Sequence, residues 1–274
     1  MPMDAYQLSV KTELLVWQKK MLKKPGLINK LSKSTQDKIN AIIPEKVHIT
    51  ITTVIKQMIK AVLFGAKYTT GQPLQQVGFH EREKQVEAKI KIYRNTAAVE
   101  GGLTGAGGFL LGIADFPLLL TIKLKMLYDI AALYGFDLDD YKERVYLLHI
   151  FELAFSSDQH RKNIYLRMVG WDDKSKLLPD DINQFEWRKL QQEYRDYLDL
   201  AKMAQLLPIV GAPIGFFVNR KLIKKLGQTA MNAYRMRILN GPSLLKNSGD
   251  RSLGEGKAGL AAPLSQTGAW HSVP

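Results

Sequence analysis

The side chains that could take part in acid–base or metal chemistry are few and scattered along this sequence. The chain has five histidines and no cysteine. His149 and Glu152 stand three residues apart, which would place them on one face of a helix. A di-iron centre needs two Glu-x-x-His units with partner glutamates, and His80-Glu81 lacks the second histidine of a zinc-protease motif. We therefore predict no metal and no cofactor, and expect His149 to be a partly buried histidine.

Motifs for nucleophilic catalysis are equally absent from the sequence. It contains no Gly-x-Ser-x-Gly elbow. Without cysteine, this chain can form no disulfide, thiolate nucleophile or Cys-ligated zinc site. Thr35 and Lys38 only loosely follow a Ser-x-x-Lys pattern, which the start of a helix explains better. We assign no catalytic residue and favour a protein without enzymatic activity.

The most distinctive stretch is a glycine-rich apolar segment, Gly101 to Ile122. Glycines four residues apart put small residues on one face of a helix, and another helix backbone can then approach closely. A second apolar segment, Leu206 to Val218, repeats this spacing. The paired residues are Gly101 and Gly105, Gly108 and Gly112, and Gly211 and Gly215.

Three interpretations of Gly101–Ile122 compete. A nucleotide-binding loop fails, because Gly108-Phe109 stands where a phosphate loop requires Lys and Ser or Thr. A transmembrane span would have nearly the required length, but Asp115 and Pro117 interrupt its interior. The third interpretation is close packing of two glycine-faced helices in the core of a soluble bundle. We favour this packing, with insertion into the membrane as the next alternative.

Asp115 has two interpretations of its own. An aspartate shortly before a proline in the first turn commonly caps a helix, so Asp115 would begin a helix near Pro117. Alternatively, Asp115 is a buried carboxylate that serves proton or cation chemistry. We favour the helix cap.

Positive charge is concentrated towards the two ends of the chain. Lys and Arg outnumber Asp and Glu by 39 to 26, a net charge of +13. The excess lies in residues 1–70 and 201–240, and it would attract anionic lipid headgroups, or else form a solvated basic face. Nucleic acid ranks third as a partner, because no known binding module surrounds these residues. The predicted contacts to an anionic surface are Arg220, Lys221, Lys224 and Lys225.

Apolar periodicity and helix-breaking residues divide the chain into helices, which would position all of these side chains. Only Val47–Thr52 alternates like a strand, and we favour helix there because a single strand has no partner. The fold is predicted to be all-α, a multi-helix bundle with two glycine-rich, closely packed apolar helical segments. The predicted helices are Asp4–Lys23, a helix from the Ser34–Asp37 start to Ile43, Pro44–Phe64, Val77–Val99, Pro117–Tyr134, Tyr141–Phe155, Gln159–Val169, Asp181–Gln205 and Asn219–Leu239.

A single helical domain is predicted over residues 1–240. The chain has 274 residues, of which 46% are hydrophobic, and this is enough to bury a core. Residues 241–274 turn to Gly, Ser, Ala and Lys, so we expect a disordered tail. Met1–Met21 lacks the apolar stretch of a signal peptide, and we expect a cytoplasmic protein peripheral to the inner membrane.

Five short motifs occur in an order that resembles the EcsC family. They are Gly101–Gly108, Ala114–Pro117, Ile130–Asp137, Leu207–Asn219 and Ala233–Leu239, and the likeness covers roughly Leu14 to Leu239. The signature or helix-packing residues are Asp115, Pro117, Tyr134, Gly135 and Asn219, together with the paired glycines. The resemblance implies a bacterial α-helical protein whose founding relative is encoded beside an ABC transporter. It implies no catalytic residues.

Together these features favour a non-enzymatic accessory protein at the cytoplasmic face of the bacterial membrane, linked to an ABC transporter or to protein secretion. Its partners would be the anionic membrane surface and a membrane transporter. The alternative is a soluble enzyme or small-molecule-binding helical domain with a pocket near Asp115.

Overall fold

The computed structural model describes residues 4–24, 45–64, 73–74, 77–106, 108–197 and 211–239. These residues form nine α-helices and two short 3-10 helices, which confirms the all-α prediction. The α-helices are α1 (Ala5–Leu22), α2 (Glu45–Phe64), α3 (Phe79–Ala106), α4 (Gly108–Tyr134), α5 (Tyr141–Phe155), α6 (Arg161–Met168), α7 (Trp171–Lys174), α8 (Trp187–Tyr197) and α9 (Gly211–Ile238). The 3-10 helices are Ser175–Leu177 and Ile182–Gln184.

The first two helices begin where the sequence predicts. The Asp4 carboxylate accepts a hydrogen bond from the Gln7 backbone N–H at 2.7 Å, and Gln7 accepts one from the Asp4 N–H in return at 3.2 Å. This reciprocal capping satisfies two amide groups that a helix start would otherwise leave unpaired. α2 begins directly after Pro44 and contains Val47–Thr52, so the helical interpretation of that stretch is confirmed.

The three longest helices, α3, α4 and α9, pack together. α3 runs antiparallel to α9, because Glu83 lies opposite Arg235 and Ile90 lies opposite Gly227. α3 also runs antiparallel to α4, since Glu83 contacts Tyr134 near the far end of that helix. The carboxyl end of α3 and the amino ends of α4 and α9 therefore lie at the same side of the bundle. We call this side the glycine-rich end, and it carries Gly101–Ala106, Gly108–Gly112 and Gly211–Gly215.

The crossing of α3 and α9 is close at Gly227. A Cβ atom added to Gly227 would lie 2.8 Å from both Cδ1 and Cγ1 of Ile90, which is too short for any real contact. Gly227 lies further along α9 than the predicted pair Gly211 and Gly215. Asn219, between them, is buried. The sequence interpretation stopped at Gly215 and so missed the glycine at which the structure describes the contact.

The predicted start of a helix at Pro117 is wrong. α4 begins at Gly108 and continues without a break through Asp115 and Pro117, so Asp115 lies inside the helix and does not cap it. A proline inside a helix costs about 3 kcal/mol, because it removes one N–H and crowds the preceding turn. The apolar residues on both sides of Pro117 continue the helical pattern. Packing of this long apolar helix against α3 and α9 offsets that cost.

The end of α4 at Gly135 is confirmed. Gly135 has a φ of +91°, the left-handed conformation that favours glycine. Its N–H donates to the Ala132 carbonyl at 2.9 Å, and the Phe136 N–H donates to the Ala131 carbonyl at 3.0 Å. These bonds complete the last turn of the helix and reverse the chain towards α5.

α5 is the central helix, because every residue from Val145 to Phe155 is buried. It begins at the predicted residue, where the Asp140 carboxylate accepts a hydrogen bond from the Lys142 N–H at 2.8 Å. The predicted helix Asp181–Gln205 starts later in the structure, at Trp187. Asp181 instead caps the 3-10 helix Ile182–Gln184, since its carboxylate accepts a hydrogen bond from the Asn183 N–H at 2.9 Å.

Several predicted features lie outside the described residues. They are the helix between Ser34 and Ile43, the chain from residue 198 to 210, and the tail 241–274.

Candidate functional site

A cleft of about 730 Å³ opens between α1, α3, α9 and the connection from α5 to α6. Helical spacing forms its two long walls. α1 contributes Glu13, Trp17 and Lys20, and α9 contributes side chains one turn apart from Lys225 to Arg235. The residues that line this cleft all belong to the part of the chain that the structure describes.

At one end of the cleft, Arg235 pairs with a fully buried carboxylate. Glu83 has no exposed surface, and its Oε2 accepts a hydrogen bond from Arg235 Nε at 2.8 Å and another from Nη2. The Tyr134 hydroxyl donates to Glu83 Oε1. Arg235 Nη1 also lies 3.3 Å from Oε2 of the exposed Glu13. One guanidinium thus joins α1, α3 and α9.

Protonation states in this network follow from burial and charge. Burial raises the pKa of the Tyr134 hydroxyl well above its usual value, and the negative charge of Glu83 raises it further. Burial opposes the charge on Arg235, but the hydrogen bonds and charge of Glu83 outweigh this effect and raise its pKa. The phenol therefore stays a donor, and the arginine stays charged. Such a saturated ion pair is typical of a structural brace rather than an acid–base catalyst.

Arg237, two residues further along α9, holds a second network. Its Nη1 and Nη2 bind the two carboxylate oxygens of Glu143 at 2.6 and 2.7 Å, and its Nε binds Asp172 at 2.9 Å. The guanidinium lies over the ring of Phe136, 4.0 Å from its centroid, and over Tyr146 at 4.7 Å. Planar stacking and two-pronged binding require arginine at this position and not lysine.

His149 is buried, as predicted, and faces Glu152 one turn along α5. His149 Nδ1 lies 3.1 Å from Glu152 Oε2, and the other oxygen of Glu152 binds Arg167 at 3.2 Å. Arg167 in turn binds Glu193, and this contact ties α8 to the core. Within the described residues, no group of histidine and carboxylate side chains has the arrangement of a metal site.

The structure divides the predicted site residues between two places. Tyr134 joins the buried charge network, and Gly135 forms the turn beside it. The paired glycines, Asp115 and Pro117 lie at or near the glycine-rich end. On α9, Arg220 is half-buried, whereas the lysines at the other three predicted surface positions are exposed. These are Lys221, Lys224 and Lys225.

The pocket predicted near Asp115 stays a prediction, because the side chains around Asp115 lie outside those that the structure describes. The residues that line the cleft come from α1, α3, α9 and the end of α5, and none belongs to Gly101–Ile122. Glu83 and Arg235, which pair at one end of the cleft, were not predicted from the sequence. The two arginines within the otherwise apolar run Ala233–Leu239 were the available signal, because such residues must find buried partners.

Among the helices described, none combines the length and the apolar character that a bilayer-crossing segment requires.

Comparison with known proteins places these features in a family. The model of the EcsC protein family matches residues 9–239. Protein EcsC of Bacillus subtilis (strain 168) is 42% identical over 228 residues, which cover 83% of this chain and 94% of that protein. The uncharacterized protein YdbA of the same organism is 33% identical over 152 residues, 55% of this chain and 56% of that protein. No solved structure gives a significant match. The chain therefore belongs to the EcsC protein family.

Proposed function

We propose that the protein is a non-enzymatic accessory protein that binds the anionic cytoplasmic face of the bacterial membrane through its glycine-rich end. The observation that carries this proposal is a surface of α9 on which an exposed aromatic ring adjoins exposed lysines. Phe217 lies one turn before Lys221 and two turns before Lys224, so the three side chains share a face.

Apolar exposure at this end supports the proposal. Phe217 is 68% exposed and follows Gly215 by only two residues. On the neighbouring helix α4, Leu118 is 51% exposed and directly follows the exposed Pro117. Large apolar side chains of this kind insert between lipid headgroups, because the acyl boundary removes their surface from water.

The charge of α9 also supports membrane binding through the glycine-rich end. A lysine near an anionic lipid surface contributes about 1 kcal/mol of attraction, and salt screens this contribution. α9 carries no acidic residue between Gly211 and Ile238. Apolar insertion and lysine attraction would therefore act together at the first half of α9. At the membrane, the proposed partner is an ABC transporter or a component of protein secretion.

A vesicle-binding experiment with a charge-reversed variant tests this proposal. The full-length protein is sedimented with vesicles of equal parts phosphatidylglycerol and phosphatidylcholine, and with vesicles of phosphatidylcholine alone. We expect binding to the anionic vesicles only. The double substitution Lys221→Glu with Lys224→Glu should weaken it at least about tenfold, since it replaces two attractions with repulsions.

The matched control reverses two exposed lysines elsewhere. Lys84 lies near the start of α3 and Lys189 lies on α8, both away from the glycine-rich end. The double variant Lys84→Glu with Lys189→Glu has the same net charge as the test variant. Equal loss of binding in both variants would show that net charge alone drives the interaction, and would contradict the proposed surface.

The cleft supports a second candidate function, a small-molecule-binding domain. Its volume of about 730 Å³ lies within the range of ligand sites in proteins. On α9 the cleft begins at Lys225, directly after Lys224 of the proposed membrane surface, so each function is tested by substitutions confined to its own residues.

A further inference from the structure

The charges that line the cleft are separated along its length. Tyr6 stacks on His80 at 4.0 Å between ring centroids, which places the start of α1 beside the start of α3. Further along, Glu13 on α1 and Glu83 on α3 both reach Arg235, so α1 runs parallel to α3. Since α3 runs antiparallel to α9, α1 also runs antiparallel to α9. Glu13 therefore faces Arg235 at one end of the cleft. Lys20 faces the region of Lys225 at the other end.

The end of the cleft near Arg235 carries net negative charge. Glu83 and Glu13 both contact this one guanidinium, and Glu83 already neutralises it. Glu87 lines the cleft next to them. Glu87 is exposed one turn along α3, and the side chain of Glu13 is 64% exposed. We call this the acidic end of the cleft. A ligand ammonium group placed here would meet two carboxylates that water still reaches.

The opposite end carries net positive charge. Lys20, Lys225 and Arg161 line it, with Asp158 as the one carboxylate among the lining residues there. Arg161 Nη1 binds Asp158 at 2.7 Å. Its Nε is buried and donates to no acceptor in the described part of the chain. We call this the basic end, and it suits a carboxylate, which accepts from lysine and guanidinium donors.

Amide and hydroxyl side chains line the cleft between its two ends. Gln228 and Asn232 project from α9 one turn apart, and Thr229 and Ser156 also line the cavity. Asn232 Nδ2 donates to the Gln228 carbonyl at 2.9 Å, which fixes the position of its side chain. Side-chain amides both donate and accept hydrogen bonds, as peptide groups do. The middle of the cleft is therefore suited to a ligand that itself carries amide groups.

The spacing of the charges sets the length of the ligand. Glu13 and Lys20 are seven residues apart on α1, a rise of about 10 Å. An extended peptide spans at most about 3.3–3.6 Å per residue, so three residues cover this distance. A single amino acid is too short to reach both ends.

From these features we propose that the cleft binds a short zwitterionic peptide of about three residues, with its amino terminus at the acidic end and its carboxyl terminus at the basic end. This inference goes beyond the proposed membrane association. It concerns other residues, so either proposal can fail without the other.

Calorimetric titration of the full-length protein with trialanine tests this inference at low salt. We expect saturable binding of one peptide per chain. Acetylation of the amino terminus or amidation of the carboxyl terminus should each weaken binding roughly tenfold, because each removes a charge-assisted contact. Free alanine should bind still more weakly. Inorganic phosphate serves as the probe for a simple anion site.

Two substitutions locate the peptide within the cleft. Glu87→Gln and Lys20→Gln should each weaken trialanine binding roughly tenfold. In the Lys20→Gln variant, amidation of the peptide should weaken binding little further, since the lysine that would contact the peptide carboxylate is already gone. Lys19→Gln is the matched control, because Lys19 is also exposed on α1 but does not line the cleft. The affinity of the Lys19→Gln variant for trialanine should be unchanged.

Three results would overturn the inference: trialanine fails to saturate, the capped peptides bind as tightly as the free one, or inorganic phosphate binds more tightly than trialanine. The capped peptides are titrated against the unaltered protein. These titrations therefore test the peptide proposal even if one of the substitutions disturbs folding.

Discussion

Arg235 and Arg237 lie two residues apart near the end of α9, and each binds carboxylates from other helices. Arg235 reaches Glu83 on α3, and Arg237 reaches Glu143 on α5. Both arginines are largely enclosed, so water screens these contacts weakly. Two buried ion pairs thus fix the carboxyl end of α9 in the bundle, and removal of one partner leaves a buried charge without compensation.

Glu83→Gln tests the importance of the first ion pair. We expect it to lower the free energy of unfolding by about 3–5 kcal/mol, because Arg235 stays charged and buried without its counter-ion. Glu87→Gln is the control, since Glu87 is exposed one turn away, and should change stability by less than about 0.5 kcal/mol. Urea denaturation, monitored by circular dichroism, measures the free energy of unfolding of both variants. Equal effects of the two substitutions would contradict the assigned role of Glu83.

Sequence reasoning predicted single residues where local geometry or a motif decided the outcome. The predicted helix boundaries at Tyr134 and Tyr141 are confirmed, and the structure shows why: Gly135 takes the left-handed turn and Asp140 caps the next helix. Glu83 was not singled out. It stands among interleaved acidic and basic residues that look like an exposed face, and only its contact with Arg235, 152 positions later, buries it.

At the scale of helices, the crossing of α3 and α9 depends on the lack of a side chain at Gly227. Ile90 occupies that space with both branches of its side chain. A glycine inside a helix costs about 1 kcal/mol relative to alanine. The close approach that Gly227 permits brings two long helices into contact and offsets this cost.

Gly227→Ala should lower the free energy of unfolding by about 1–3 kcal/mol, because the new Cβ overlaps Ile90 and the core must shift. The effect is measured by thermal or urea unfolding. In the double variant with Ile90→Ala, the added methyl group finds room. The losses in free energy of unfolding of the two single variants should then add up to more than the loss measured for the double variant. Simple additivity would contradict the close crossing.

Helix boundaries were predicted well where a capping residue or a left-handed glycine marks them, and poorly at Pro117. Proline and a preceding aspartate predict a helix start on local grounds. In the structure, α4 continues through both residues, and the helix packs against α3 and α9. That contact joins segments far apart in sequence, and local patterns do not show it.

The whole bundle has two unlike ends. One end holds the buried charge networks of Arg235 and Arg237, with the cleft beside them. The other is the glycine-rich end, near which Leu118 and Phe217 are exposed. The sequence predicted the glycines, but their assembly from three helices required the fold. This polarity underlies our proposal that the glycine-rich end faces the membrane and that the end with the Arg235 and Arg237 networks faces away.

Site-specific fluorescence tests this orientation most directly, because the chain contains no cysteine that would compete for a label. Single variants Leu118→Cys and Phe217→Cys place a polarity-sensitive dye near the glycine-rich end. Leu177→Cys places it at an 85% exposed position, in the segment that contacts the start of α5 through Pro179. With vesicles of equal parts phosphatidylglycerol and phosphatidylcholine, the dyes at 118 and 217 should shift to the blue, whereas the dye at 177 should not change. A blue shift at 177 with none at 118 and 217 would contradict the account.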